Sequence, residues 1–331
     1  MSMKSEFNWA YIGCGSIAKK TAAEIVRGPH RIVSVYSRNY EKAGKFAAAY
    51  GARAYTSFEE AVARDEVDGV YIATPHTSHV EYALGAMQCG KPVLCEKPVG
   101  VCFKDVEAVR TAAQQNGVYF AEAMWTWFCD PARKVKEWID AGEIGEVKRI
   151  EIFHAFPGLL KAKTDRVLNP DTAGGALLDI GIYPITYCYN LLGYPEKIEC
   201  EGIVKNGIDI GESITLTYAH TVCHLQTSFS VLKESCVIEG SEGSIELGFF
   251  HMANRAVLKK GGKKLVFKAK TDYLSEFTRA AEEIRAGKKE SAYVPLQSTE
   301  DCMKIMDDCR KQMGLRYPFE TQGQTTNNQV N

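Results

Sequence analysis

The segment Trp9-Ala-Tyr-Ile-Gly13-Cys-Gly15-Ser-Ile-Ala18 decides the fold of this chain. An apolar strand runs directly into a G-x-G-x-x-A turn, and the turn opens a helix. Gly13 allows a sharp change of direction, Gly15 has no side chain to hold a ligand away from the backbone, and Ala18 is small enough for close helix-strand packing. A second strand at 31–36 closes the unit at the expected distance.

A turn of this kind between a strand and a helix is typical of dinucleotide binding. The motif alone is also compatible with an ordinary tight turn, and the strand before it and the helix after it favour the dinucleotide interpretation. Backbone N–H groups at the helix start, with the positive end of the helix dipole behind them, suit a diphosphate. We therefore predict cofactor contacts at Gly13, Gly15, Ser16 and Ile17.

The end of the second strand indicates which dinucleotide binds. NAD enzymes usually place Asp or Glu there to bond the ribose hydroxyls, and this chain has Ser37-Arg38 instead. A guanidinium offers paired planar donors to phosphate oxygens. The alternative is a solvated arginine at a strand end. The residue types favour NADP(H) over NAD(H).

Length and composition are those of an ordinary globular protein with two domains. The chain has 331 residues, of which 45% are hydrophobic and 24% charged, and 40 Lys and Arg nearly balance 41 Asp and Glu. Nothing in this balance favours a nucleic acid or membrane partner. We expect a cytoplasmic protein, because residues 1–8 contain no apolar signal segment. The 11 scattered cysteines are expected to be small buried hydrophobes.

Strands alternate with helices over the first 120 residues, which predicts a doubly wound parallel sheet of the Rossmann type. Ligands of such sheets lie beyond the carboxyl ends of the strands. Besides the first two turns, that rule selects the segment after the fourth strand, with Thr74, Pro75, His76 and His79, and Glu96-Lys97-Pro98 after the fifth.

Long alternating strands follow from about residue 124, including one at 213–231, and helices end the chain. This order predicts an α+β domain with a large, open, mostly antiparallel sheet. The predicted domains are a cofactor-binding Rossmann domain at 1–123, a substrate-binding and dimerisation domain at 124–320, and a polar, disordered tail at 321–331.

Three residues form the predicted catalytic group. Lys97 follows the fifth parallel strand, Asp179 lies in an apolar helix where a carboxylate needs a partner, and Tyr183 is one helical turn later. Hydride transfer from an alcohol carbon needs a base, and a phenol, whose pKa is normally about 10, needs a neighbouring cation for that role. Either Tyr183 carries the proton and Lys97 tunes it, or Lys97 carries the proton and Tyr183 binds the hydroxyl.

The motifs together resemble the glucose-fructose oxidoreductase and inositol dehydrogenase (Gfo/Idh/MocA) family over nearly the whole chain. The resemblance rests on the glycine-rich turn, on Ala73-Thr-Pro-His-Thr-Ser-His79, on Cys95-Glu-Lys-Pro98, on Glu122-Ala-Met-Trp125 and on Gly174-Gly-Ala-Leu-Leu-Asp179-Ile-Gly-Ile-Tyr183. Tyr183, where many members have His, is similar to the dimeric dihydrodiol dehydrogenases and NADP-dependent D-xylose dehydrogenases.

The resemblance implies roles for individual residues. Lys97 would be catalytic, Thr74 to His79 and Glu96 would surround the nicotinamide ribose, and Asp179 would lie in the active site, with Tyr183 as acid/base. It also implies a homodimer formed through the C-terminal sheet. Relatives commonly carry Arg at the position of Trp127, so this chain departs from the family at a position implied to contact substrate.

Four further residues are candidate substrate contacts, because they follow the last parallel strand or end the first strand of the second domain: Trp125, Trp127, His154 and Phe156. We expect no metal site, since His76 and His79 have no further ligand cluster in sequence.

The predicted function is an NADP(H)-dependent oxidoreductase acting on a CH–OH carbon of a small sugar or cyclic diol. One alternative is a reductase of the same family that acts on an anhydro-sugar or keto-sugar. The other is a non-catalytic NADP(H)-binding sensor, which would not need Lys97, Asp179 and Tyr183 together.

Overall fold

The computed structural model describes residues 6–322. The chain forms two compact units. The first comprises the chain up to Cys129 together with the segment Thr271–Glu300, and the second comprises Asp130–Lys270 and the chain from Asp301 onward. The sequence assigned residues 271–300 to the second domain, whereas in the structure they pack with the first unit.

The first unit contains a parallel sheet of six strands in the order β3-β2-β1-β4-β5-β6. Its strands are β1 (Phe7–Ile12), β2 (His30–Tyr36), β3 (Arg53–Tyr55), β4 (Gly69–Ile72), β5 (Val93–Glu96) and β6 (Phe120–Ala123). The helices between and after them are α1 (Ser16–Ile25), α2 (Tyr40–Tyr50), α3 (Phe58–Val62), α4 (His79–Gln88), α5 (Phe103–Asn116) and α6 (Trp125–Phe128). The predicted Rossmann-type parallel sheet is confirmed.

Local signals set several of these helix ends. The Ser57 hydroxyl accepts a hydrogen bond from the Glu60 amide at 3.3 Å and begins α3, as a capping residue does. Helix α5 ends at Gly117, whose φ of +59° is left-handed. Such caps explain why the sequence predicted the elements of this unit to within a few residues.

The second unit contains a sheet of eight strands in the order β14-β13-β12-β11-β7-β10-β9-β8. Only the β7–β10 pair is parallel among its described strands. The elements of this part are α7 (Asp130–Asp140), β7 (Val147–Ala155), α8 (Ile182–Leu192), β8 (Lys197–Lys205), β9 (Ile208–Thr217), β10 (Val222–Ser228), β11 (Lys233–Gly240), β12 (Gly243–Gly248), β13 (Arg255–Lys260) and β14 (Lys263–Lys268).

The prediction of one long strand at 213–231 was wrong. Strands β9 and β10 form a hairpin, with Thr217 paired to Val222 and the Tyr218 amide donating to the Thr221 carbonyl at 2.9 Å. The turn contains neither glycine nor proline, so the alternating pattern runs through it without a visible break.

Three helices complete the described chain: α9 (Leu274–Arg285), α10 (Leu296–Met313) and α11 (Pro318–Gln322). Helix α9 belongs to the first unit because Phe277 packs against the aromatic side chains of its sheet. Its ring centroid lies 5.1 Å from that of Trp9 and 4.8 Å from that of Tyr71. Burial of these large rings offsets the entropy of ordering a segment so distant in sequence.

Three sequence predictions concern the rest of the chain. Eight of the 11 cysteines are buried and none is in a disulfide, consistent with their use as small hydrophobes. No helix within residues 6–322 combines the length and apolar character needed to cross a bilayer. Residues 323–331 of the predicted tail lie outside the described residues.

Candidate active site

The glycine-rich turn has the backbone geometry that its sequence predicts. Gly13 has a φ of +102°, and its amide donates to the Tyr36 carbonyl at 2.8 Å. A Cβ at this position would lie 2.5 Å from the carbonyl oxygen of Ala73 at the end of β4. Only glycine fits, because both the φ and the close approach exclude a side chain.

The start of α1 suits an anionic group. Gly15 and Ser16 are exposed, and no side chain caps the helix. The amides of the first turn are therefore left for a ligand rather than for a capping residue. Burial raises the pKa of the neighbouring Cys14 thiol to about 11, which keeps this side chain neutral beside the turn. These features fit the diphosphate of a dinucleotide.

Arg38 lies exposed just after β2. The next residue, Asn39, begins α2, and its side chain accepts from the Lys42 amide at 2.9 Å. The Ser37 hydroxyl accepts from the Asn39 amide at 3.4 Å. The short turn thus places a hydroxyl and a guanidinium at the carboxyl end of β2, as the predicted 2′-phosphate contact requires.

His79 ties together the turns after β4 and β5. Its Nδ1 lies 2.8 Å from the Pro98 carbonyl oxygen and its Nε2 lies 2.7 Å from that of Thr74. The ring is fully buried, so His79 holds the two turns rather than presenting a nitrogen to solvent. Pro75 and the buried His76 complete the segment, with the His76 ring 5.8 Å from that of His79.

The Thr74 hydroxyl is buried and has no hydrogen-bond partner among the described residues. A buried hydroxyl normally has a partner, because leaving it unpaired is unfavourable by about 1–3 kcal/mol. The position at the carboxyl end of β4 is where the family resemblance implies contacts with the nicotinamide ribose. A ribose hydroxyl would satisfy this group.

Glu96 ends β5 as a buried carboxylate. The Tyr71 hydroxyl donates to its Oε1 at 2.5 Å. Burial and the charge of Glu96 both raise the pKa of Tyr71, which keeps the phenol protonated as a donor. Glu276 is also fully buried, and burial together with Glu96 raises its pKa well above the usual range. The unit therefore carries a cluster of acidic groups beneath the turn that bears Lys97.

Lys97 is half-buried, and its charge acts on Glu122. Glu122 is fully buried, accepts from the Val99 amide at 3.3 Å and from the Thr299 hydroxyl at 3.2 Å. Burial raises the pKa of Glu122 to about 7, while its hydrogen bonds and Lys97 act in the opposite direction. The sequence suggested no role for Glu122, although a carboxylate in the apolar strand β6 is a signal that could have found it.

Trp125 and Trp127 lie in the short helix α6 and are both buried. The ring centroid of Trp125 is 4.6 Å from that of Tyr273 in the same unit. Their suggested contacts with substrate stay predictions.

Asp179 lies in a π-helical turn, Leu177–Gly181, directly before α8. Turns of this type are rare and occur frequently at functional sites. The Arg166 guanidinium donates to Asp179 Oδ1 at 2.9 Å, a partner that the sequence did not predict. Lys97 belongs to the first unit and Asp179 to the second, so their predicted interaction stays a prediction.

Two buried carboxyl groups of β9 lie against the turn that carries Asp179. Asp209 accepts from the Leu177 amide at 2.6 Å. A Cβ on Gly175 would lie 2.1 Å from Asp209 Oδ1, and one on Gly181 would lie 2.6 Å from Glu212 Oε1. Burial raises the pKa of Asp209. Burial and the nearby charge of Asp209 together raise the pKa of Glu212 well above its usual range. The glycines flanking Asp179 make room for this acidic pair.

Tyr183 is the second residue of α8 and is 8% exposed. Its ring packs against two imidazoles, with centroids 5.4 Å from His154 and 5.2 Å from His251. His154 Nδ1 lies 3.2 Å from the Ile180 carbonyl oxygen. The Phe156 ring packs on Phe229 at 4.9 Å. Of the predicted substrate contacts, His154 thus lies beside Tyr183, the predicted acid/base. Contact of His154 and of Phe156 with substrate stays a prediction.

Sequence reasoning missed the residues that surround the predicted ones. These are Glu122, Arg166, Asp209, Glu212, Glu234 and His251. Most of them come from strands or loops far along the chain from the residue they contact, and no fixed spacing links them. Their proximity arises from tertiary packing, within the first unit for Glu122 and within the second unit for the other five.

The chain matches family models for two domains. Residues 7–123 match the oxidoreductase family with an NAD-binding Rossmann fold, and residues 132–246 match the GFO/IDH/MocA C-terminal domain.

Curated relatives match nearly the full chain. The scyllo-inositol 2-dehydrogenase (NADP(+)) of Bacillus subtilis is 32% identical over 302 residues, covering 88% of this chain and 92% of that protein. The trans-1,2-dihydrobenzene-1,2-diol dehydrogenase of Mus musculus is 29% identical over 331 residues, covering 94% of this chain and 98% of that protein.

The fold is also that of a solved enzyme structure. KijD10, a 3-ketoreductase from Actinomadura kijaniata in complex with NADP and TDP-benzene, superposes with a TM-score of 0.83 at 22% identity, covering 93% of this chain and 98% of that one. The two matched domain families, the order of the parallel sheet and the full-length relatives lead to one conclusion: the chain belongs to the Gfo/Idh/MocA family of oxidoreductases.

Proposed function

We propose that this protein is an NADP(H)-dependent oxidoreductase that acts on a CH–OH carbon of a sugar or cyclic diol. The observation that carries the proposal is full-length similarity to two dehydrogenases whose names specify ring substrates with hydroxyl groups. The retention of Lys97, Asp179 and Tyr183 supports an active enzyme over a sensor.

The cofactor proposal rests on three features of the first unit. The uncapped start of α1 suits the diphosphate, the unpartnered Thr74 hydroxyl suits the ribose, and the exposed Arg38 suits a 2′-phosphate. When bound, the nicotinamide would accept or supply the hydride. The protein's own residues would orient the nicotinamide and transfer the proton to or from the substrate oxygen.

In the proposed mechanism, Tyr183 gives a proton to the substrate oxygen during reduction and takes it back during oxidation. The Lys97 ammonium favours the phenolate and orients the substrate oxygen. Asp179, paired with Arg166, orders the polar groups around this site and holds Lys97. The other arrangement, with Lys97 as the proton carrier and Tyr183 as a hydroxyl ligand, predicts a smaller effect of removing the phenol.

Aromatic and polar side chains would form the substrate pocket. We propose that Trp125 and Trp127 supply apolar faces for the ring and that His154 and Phe156 also contact the substrate. Aromatic faces suit the C–H surface of a sugar, and an imidazole suits its hydroxyls.

We further propose a cytoplasmic homodimer formed through the second sheet. Apolar side chains are exposed on two strands of this sheet: Ile203 (64%) and Val204 (41%) on β8, and Leu265 (55%) and Val266 (39%) on β14. A second copy covering such residues would remove them from water. Analytical ultracentrifugation of the purified protein tests the dimer, because it measures the mass of the particle in solution.

A turnover assay tests the activity. The purified protein is mixed with NADP⁺ and a panel of cyclitols, cyclic vicinal diols, pentoses and hexoses, and NADPH absorbance is followed. NADPH with keto-sugars tests the reverse direction and the reductase alternative. Tight NADP⁺ binding without turnover on any compound would support the sensor instead.

Cofactor choice has its own test. Arg38→Ala should raise the KM for NADP⁺ by roughly 10- to 100-fold while changing that for NAD⁺ little, because only one cofactor carries the 2′-phosphate. Arg53→Ala, an exposed arginine at the start of the neighbouring strand β3, is the matched control. Equal losses with both cofactors would contradict the assignment.

A further inference from the structure

Beneath Tyr183, three side chains from separate parts of the second unit meet. His154 comes from β7, Glu234 from β11, and His251 from the short 3-10 turn Phe250–Met252 that follows β12. One ligand atom from each lies within 4.8 Å of the others. The side chains of His154 and Glu234 are only 4% exposed, and that of His251 is 20% exposed.

The carboxylate in this cluster is enclosed by imidazoles. Glu234 Oε2 lies 2.6 Å from His251 Nδ1, and Oε1 lies 3.6 Å from His154 Nε2. Within residues 6–322, no lysine or arginine forms an ion pair with Glu234. A buried carboxylate is stabilised by a compensating positive charge, which a bound cation between the two imidazoles would supply here.

The hydrogen bond of His154 fixes which of its nitrogens carries the proton when the ring is neutral. Nδ1 faces the Ile180 carbonyl oxygen at 3.2 Å and must donate, because a carbonyl only accepts. In the neutral ring, Nε2 therefore directs a lone pair toward the carboxylate. Histidines that bind metals are typically oriented in this way by a carbonyl on the other nitrogen.

Distances favour a metal over a proton between His154 and Glu234. A separation of 3.6 Å is too long for a good N–H···O hydrogen bond, which is usually about 2.7–3.2 Å. Two ligands each about 2.1 Å from one tetrahedral ion lie roughly 3.4 Å apart. His251 Nδ1 would exchange its proton for the ion, as histidine ligands do on metal binding.

We propose that His154, Glu234 and His251 bind a divalent transition-metal ion, with Zn²⁺ as the best match. Two imidazoles and one carboxylate are a known zinc ligand set and leave a fourth position for water. The ion would neutralise Glu234 and brace the two imidazoles on which the Tyr183 ring packs. This site is additional to the proposed dehydrogenase chemistry, which does not require it.

The test uses the full-length protein after chelator treatment and dialysis. Titration with Zn²⁺ in a calorimeter should give one tight equivalent, and Co²⁺ should produce visible d–d bands without the charge-transfer band that thiolate ligands give. The Co²⁺ spectrum separates this site from metal binding by cysteines, of which Cys89 is exposed. Both measurements use the unaltered chain, so they do not depend on the folding of a variant.

Variants then locate the ion. His251→Ala and Glu234→Gln should each weaken Zn²⁺ binding at least about 100-fold, with circular dichroism confirming the fold. His220→Ala is the control, because His220 is exposed and lies 4.0 Å from Glu146 in a surface pair. Absence of d–d bands, a thiolate band, or equal affinity in His251→Ala would overturn the proposal. Turnover of the chelated enzyme is measured separately and tests only the dehydrogenase activity.

Discussion

The imidazole of His79 bridges two carbonyl oxygens, that of Pro98 at 2.8 Å and that of Thr74 at 2.7 Å. Both contacts are hydrogen bonds at the same time only when the ring carries both protons. A buried side chain of α4 thus joins the turn after β4 to the turn that carries Lys97. The sequence predicted His79 as a cofactor contact, and the structure gives it this bridging position.

Replacing His79 should loosen both turns. His79→Asn can keep at most one of the two hydrogen bonds, and we expect the free energy of unfolding to fall by about 1.5–3 kcal/mol. The catalytic constant should also fall, because Lys97 adjoins Pro98. His224→Asn, at an exposed site on β10, is the control for urea denaturation and steady-state kinetics. Unchanged stability would show that the bridge contributes little.

Removing the Tyr183 hydroxyl tests the proton carrier. Tyr183→Phe keeps the ring that packs on His154 and His251, so the fold should be unaffected. If the phenol is the acid/base, kcat should fall by roughly 10² to 10⁴ with NADP⁺ affinity nearly unchanged. Tyr194→Phe, at a half-exposed surface position, should behave as the parent protein. Normal turnover in Tyr183→Phe would exclude the role.

Glu122 should make stability depend on pH. Its pKa rises from 4.5 when unfolded to about 7 when folded, so the folded state holds its proton more tightly. The contribution of Glu122 to stability is therefore largest below about pH 4.5 and is lost as the pH rises through about 7, by about 3 kcal/mol in total. Because Gln cannot ionise, Glu122→Gln should be free of this loss.

The measurement compares urea denaturation of Glu122→Gln and the parent at pH 5.5 and pH 8. The variant should gain about 2 kcal/mol relative to the parent over that interval. Glu137→Gln, whose side chain is 57% exposed on α7, is the control. A constant difference between variant and parent would mean that Glu122 does not titrate in this range.

The backbone at Gly13 should not tolerate a side chain. Gly13→Ala combines a φ of +102° with a Cβ 2.5 Å from the Ala73 carbonyl oxygen, and we expect a loss of about 2–5 kcal/mol together with loss of NADP⁺ binding. Gly51→Ala separates the two effects, since Gly51 has a φ of +67° but open space around its Cβ position. It should lose only about 1 kcal/mol. Equal losses would show that the contact with Ala73 is relieved by a small shift.

Much of the fold follows from local patterns. The run of apolar strands, the glycine-rich turn and caps such as Ser57 act over a few residues, so they appear in the sequence at nearly their final positions. The turn at Tyr218–Thr221 was missed because no glycine or proline marks it. The position of α9 was also missed, since Phe277 reaches the first sheet only through packing of distant aromatic residues.

In the candidate site too, some residues could be predicted from the sequence and others could not. Residue types at strand ends, including Arg38, Thr74 and Lys97, were predictable, because the carboxyl ends of parallel strands form one edge whatever the loops do. The partners of those residues were not. Glu122 with Val99, Asp179 with Arg166, and Glu234 with His154 and His251 are pairs whose members lie 13 to 80 residues apart in the sequence. Burial and sheet order create such contacts, and neither is written in the spacing of residues along the chain.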